Sequence, residues 1–74
     1  MKAIYLIKLL RNKGLTGQSL ADAMGISKAS ISKIENGERE NLSMRMLESA
    51  GQYLNKSSSE LLKDLEKVRS TAQE

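Results

Sequence analysis

The sequence predicts an all-α domain, a compact bundle of five helices. Three observations carry that reading. Leu, Ile, Ala, Lys, Glu and Ser dominate and proline is absent, which makes helix the default backbone state. Apolar residues recur three and four apart, the spacing that lines one helix face. Stop and start signals (Gly14, Gly25, Asn36-Gly37 and Asn55; Thr16, Ser27, Ser43 and Ser57) cut the chain into segments of helix length.

The first helix covers about residues 2–12 and stops before Gly14. The second starts after Thr16, an N-cap, and runs to Met24, where Gly25 supplies the left-handed residue that ends it. Ser27 caps the third, which ends at Asn36-Gly37. A polar loop, Glu38 to Leu42, leads to the fourth, capped by Ser43 and running to Leu54; Asn55 takes the left-handed ending conformation. The fifth opens with Ser57-Ser58-Ser59-Glu60, where Ser57 and Glu60 have capping-box spacing. It continues through Leu61, Leu62, Leu65 and Val68. The domain is expected over residues 1–69, with residues 70–74 as a fraying polar tail.

Several function classes are disfavoured. Histidine and cysteine are both missing, which removes the commonest general base and metal ligands; no metal, cofactor or disulfide is expected. There is no P-loop or dinucleotide glycine pattern, and the Ser and Thr residues stand where caps explain them, so an enzyme is not expected. Lack of cysteine fits a reducing cytosol. No apolar run approaches a membrane span, and Lys8 and Arg11 interrupt the N-terminal stretch, against a signal peptide.

The net charge of +3 is unevenly placed. Residues 1–37 hold Lys2, Lys8, Arg11, Lys13, Lys28 and Lys33 against Asp22 and Glu35, leaving +4, whereas the remainder is at −1. A positive field on the N-terminal half suits a polyanion, though a solvated basic surface has the same composition.

The segment Leu15 to Gly37 reads as two short helices joined by a tight turn at Gly25-Ile26-Ser27. Leu20 and Met24 face inward on the first of these, with Ala21 small enough to let the next helix approach. Ile31 and Ile34 face inward on the second. That leaves Lys28, Ala29, Ser32 and Lys33 outward, with no acid until Glu35.

The strings KGLT (13–16), SLADAMGIS (19–27) and SISKIENG (30–37), with a weaker match through LSMRMLESAGQYL (42–54), resemble the Cro/phage-repressor (Xre-type) helix-turn-helix family. The resemblance spans about residues 5–65, with the motif itself at 16–36. It implies a five-helix bundle of the lambda-repressor-like DNA-binding type, double-stranded operator DNA as partner, and a homodimer. Residue by residue, it puts base contacts at Lys28, Ala29, Ser32 and Lys33. Lys donates to guanine O6 or N7, Ala packs on a thymine methyl, and Ser pairs with several base edges. Phosphate contacts fall at Gly17 and Gln18, Ser27, Ser30 and Asn36, with Arg39 and Arg45 as the cations. Ser27 and Asn36 also have roles in any protein, as helix cap and helix stop.

Three departures from the family pattern stand out. Gly17 occupies the place of a phosphate-binding Gln, so Gln18 or a backbone N–H must serve instead. Leu10 occupies the place of an Arg that pairs with the Glu of the ENG stop, so Glu35 must find Arg11, find another partner or stay solvated. Glu38 and Glu40 lie in the loop expected to approach phosphate and would repel it.

Two surfaces bear on protein partners. Tyr53, Lys56, Leu61, Leu65 and Val68 are expected at a dimer interface, because the fifth helix has more apolar residues than one stripe needs. Ile4 and Ile7 lie on a surplus apolar side of the first helix, covered either by the fifth helix, the expected outcome, or by a toxin or effector. A cytoplasmic, nucleoid-associated transcriptional repressor is therefore the expected function. An autoregulating antitoxin of a toxin–antitoxin pair is the alternative, and a protein-interaction module is the alternative from another class.

Overall fold

The computed structural model describes residues 1–38 and 41–72. Five helices follow one another as α1 (Ala3–Asn12), α2 (Gly17–Met24), α3 (Lys28–Glu35), α4 (Met44–Leu54) and α5 (Ser58–Ala72). All five were expected, and their limits agree with the capping signals. The exception is the end of α5, which continues through residues 70–72 instead of fraying at Ser70. Thr71 Oγ1 donates to the Lys67 carbonyl at 3.0 Å, which ties that last turn to the one before it.

The caps are made by short serine side chains. Ser27 Oγ accepts the Ser30 N–H at 3.1 Å, Ser43 Oγ the Met46 N–H at 3.2 Å, and Ser57 Oγ the Glu60 N–H at 3.2 Å. Each removes one of the unpaired donors of a helix start. At α2 the cap works through Ser19, whose Oγ accepts the Thr16 N–H at 3.1 Å and donates to the Thr16 carbonyl at 2.7 Å. The start of α1 has no side-chain cap. Instead Lys2 pairs with Asn41 in a single antiparallel bridge, and the Leu42 N–H donates to the Met1 carbonyl at 2.9 Å. The chain's first residues thus hold the loop that follows α3, a long-range contact with no local sequence signal.

The core is apolar throughout. Leu6, Ile7 and Leu10 of α1, Leu20, Ala21 and Met24 of α2, Ile31 and Ile34 of α3, and Met46, Leu47 and Ala50 of α4 are buried together. No buried side chain among the described residues is polar or charged. Helix α1 packs on α2, α3 and α5, and α4 on α2 and α5. Gly25 brings α2 and α4 together: its φ is +68°, and a Cβ there would lie 2.9 Å from Ser49 Oγ. The left-handed backbone strains any other residue at the turn between α2 and α3, and a Cβ there would also force Ser49 to shift.

This packing corrects one expectation about partner surfaces and agrees with the other. Leu61 and Leu65 are fully buried in the protomer's own core, so they cannot line a dimer seam. The crossing of α5 over α1 and α4 absorbs them, leaving Leu62 and Tyr53 exposed and Val68 half-buried. Ile7 is likewise buried, and Ile4 is half-buried against the core. The protomer itself covers this side of α1.

Lys56 is not a free rim residue. Its Nζ lies 2.6 Å from Asp64 Oδ2, tying the turn after α4 to α5. The hydrogen bond between them holds the Asp64 carboxyl below its ordinary value of 3.8 and the Lys56 ammonium above its ordinary 10.5.

Two stability predictions follow from the packing. Leu65→Ala should cost about 2–5 kcal/mol, the usual range for truncating a buried Leu. Chemical denaturation should show the loss at every protein concentration, as a core position requires and a seam position does not. For the ion pair, Asp64 contributes fully above the unfolded-chain pKa near 3.8, and the contribution disappears as pH falls through the lower folded value. Lys56 contributes fully below 10.5, and that part is lost as pH rises through its higher folded value. Thermal melts of wild type and Asp64→Asn should therefore differ by a constant amount at neutral pH and converge in acid.

Candidate nucleic-acid interface

Helix α3 is divided cleanly by its own periodicity. Ile31 and Ile34 are buried, whereas Lys28, Ala29, Ser32 and Lys33 are exposed, one turn apart in two pairs. The outward face carries two ammonium groups, a methyl and a hydroxyl. It has hydrogen-bond donors and apolar contact but no carboxylate until Glu35 at the helix end.

The fixed position of α3 comes from its two ends. Before it, the Gly25 N–H donates to the Asp22 carbonyl at 3.2 Å and the Ile26 N–H to the Ala21 carbonyl at 3.2 Å. These two bonds end α2 with the chain already turned. After it, the Gly37 N–H donates to the Ile34 carbonyl at 3.0 Å and the Glu38 N–H to the Lys33 carbonyl at 2.8 Å. Asn36 itself keeps φ at −88°, and the left-handed residue is Gly37 at +85°.

A small hollow of about 170 Å³ joins the predicted contact residues. Its walls include Arg11 from the end of α1, Gly17 and Leu20 from α2, and Lys28, Ser32 and Glu35 from α3. The fold thus brings Gly17 beside Lys28 and Ser32, as one surface reading both backbone and base edges needs. Gly17 has φ +54°, with open space where a Cβ would stand. An L side chain there would be strained by about 1–2 kcal/mol, which gives a physical reason for glycine instead of glutamine.

The polar side chains around this surface are partly engaged. Gln18 Nε2 donates to Asp22 Oδ1 at 2.8 Å along α2, leaving its second N–H and its carbonyl for another partner. Ser27 Oγ donates to Ser30 Oγ at 3.1 Å while accepting the Ser30 N–H, so the remaining free proton of the pair is on Ser30. Lys33, Asn36 and Arg45 are exposed. Arg39 and Glu40 lie outside the described residues.

Glu35 finds Arg11. Its Oε2 lies 3.0 Å from Arg11 Nη2, with the two side chains 34% and 50% exposed. Leu10, one residue earlier, is fully buried, so the cation is displaced to the neighbouring outward position. The pair neutralises the one carboxylate on this wall and connects the end of α1 to the end of α3. Being solvent-exposed, it should contribute no more than about 1 kcal/mol to folding. Arg11→Ala should therefore leave the thermal midpoint nearly unchanged while weakening polyanion binding, measured as heparin-column retention against wild type.

Residues 6–61 of the 74 match the family profile described as helix-turn-helix. No curated protein and no solved structure matches the chain.

Proposed function

Since the chain belongs to the helix-turn-helix family of Cro and phage-repressor type, a family of DNA-binding transcription regulators, we propose that it is a sequence-specific repressor acting as a homodimer on operator DNA. The observation that supports this most is the outward face of α3, where Lys28, Ala29, Ser32 and Lys33 stand exposed and free of carboxylates on a helix anchored at both ends. In this reading those four side chains touch base edges in the major groove. Gly17 and Gln18, Ser27, Ser30, Asn36, Arg39 and Arg45 hold the phosphates on either side.

The dimer is proposed because one short helix makes too little contact for operator affinity. With Leu61 and Leu65 inside the protomer and Val68 lining the hollow between α1 and α5, we place the seam on exposed apolar side chains of α4 and α5, Tyr53 (51% exposed) and Leu62 (40% exposed). Lys56, paired with Asp64, is at its edge. The antitoxin alternative needs a toxin-binding surface, and the apolar side of α1 that suggested one is taken up by the protomer. No helix among the described residues is long and apolar enough to cross a membrane, and we place the protein in the cytoplasm, on the nucleoid.

Selection of bound sequences from random duplexes, followed by titration at several salt concentrations, tests this reading. The selected site should be a two-fold repeat with half-sites roughly 34 Å apart, and no enrichment at all would refute it. On that site Lys28→Ala should cost about 1–3 kcal/mol and relax the preference at one base position. Arg45→Ala should instead weaken all sequences alike and reduce the salt slope by about one.

A further inference from the structure

A second and larger hollow, of about 500 Å³, opens between α1 and α5. Lys8, Arg11 and Asn12 line it from α1, and Lys67, Val68 and Thr71 line it from α5. Its described lining has three cations and no carboxylate. Arg11 is engaged by Glu35, but neither Lys8 nor Lys67 forms an ion pair among the described residues. Val68 gives it an apolar floor, and both lysines are exposed at its rim.

Arg11 is the wall shared by this hollow and the smaller one beside the reading face of α3. The positive surface therefore does not stop at α3. It continues past the start of α2 and the end of α1 and around to α5. A duplex seated on α3 presents a further row of phosphates beyond the bases it is read by, at one negative charge per 1.7 Å of axis. The residues along that continuation, Lys8 and Lys67, are long, cationic and without an ion-pair partner among the described residues. They account for positive charge that the four reading positions and the family's phosphate positions do not use.

From this continuity and charge complementarity we infer that the α1–α5 hollow is an auxiliary DNA-backbone site. In it Lys8 and Lys67 contact phosphates flanking the half-site, on the side of α2 where the chain enters the motif. The site adds affinity without adding sequence information, because phosphate contacts position and base contacts specify. It also compensates for the repulsion that Glu38 brings to the loop after α3. This inference rests on the DNA-binding reading, and the two can fail separately.

The test uses the full chain and two duplexes carrying the selected site, one ending at the outer edge of a half-site and one extended there by about 10 base pairs of arbitrary sequence, one helical turn. Wild type should bind the extended duplex more tightly. That gain should fall roughly tenfold between 50 and 200 mM salt, as two phosphate contacts at about 0.9 each in the logarithmic slope require. The double variant Lys8→Gln/Lys67→Gln should keep wild-type affinity and base preference on the short duplex and lose the gain on the long one. Because both lysines are exposed, circular dichroism should show the fold intact.

Equal wild-type affinity for both duplexes would overturn the inference and leave the hollow to an acidic protein segment. A length-dependent gain retained by the double variant would overturn it too, placing the flanking contact elsewhere. Failure of wild type to bind either duplex would refute the DNA-binding reading itself.

Discussion

Helix termination in a left-handed residue is the constraint on which the rest of this structure depends. Four of the five helices end the same way, with φ positive at Gly14 (92°), Gly25 (68°), Gly37 (85°) and Asn55 (57°). In each case the following N–H reaches back over the last turn: Leu15 to Leu10 at 3.1 Å, Ile26 to Ala21 at 3.2 Å, Glu38 to Lys33 at 2.8 Å and Lys56 to Gly51 at 2.8 Å. The bond satisfies a carbonyl that would otherwise be orphaned and turns the chain sharply within one residue. The residue that donates it also has a second use. Leu15 and Ile26 pack their side chains against the core, and Lys56 sends its ammonium to Asp64. Only Glu38 stays exposed, at the start of the loop that leaves α3.

Because these endings are local, they were legible in the sequence. So were the serine caps, and so was the two-faced pattern of α3, since each depends on residues no more than one turn apart. What was not legible depends on which helices cross. Leu61 and Leu65 look like surplus apolar residues on a terminal helix until α5 is laid across α1 and α4, where both become core. Lys2 reads as the first residue of α1, but it lies just before the helix and bridges Asn41, with the Leu42 N–H on the Met1 carbonyl. The glycine at position 17 has a similar origin: its left-handed φ belongs to the entry into α2, and a spacing argument sees only a missing glutamine.

The candidate site divides in the same way. Its outward residues could be picked from helical period and the family pattern, and the fold gathers Gly17, Lys28 and Ser32 around one hollow. Arg11 was identifiable only as one possible partner for Glu35. Its position as the shared wall of two hollows depends on the angle at which α1 meets α3, which no sequence motif encodes.

Stability and recognition are carried by separate chemistry in this molecule. The described interior holds no charged or polar side chain, so salt has little to screen there and acid little to protonate. The cations of α3, and those around the α1–α5 hollow, are all at the surface, where screening within about 8–10 Å acts fully. Moving the Glu35 partner from a buried position to Arg11 has extended this separation to the one ion pair that touches both functions. A buried pair would have fixed α3 more rigidly, at the risk of a stranded charge whenever either partner moved. An exposed one holds the helix more weakly and keeps a guanidinium where phosphate can reach it. The fold can therefore stay intact across the salt concentrations that would weaken the proposed phosphate contacts.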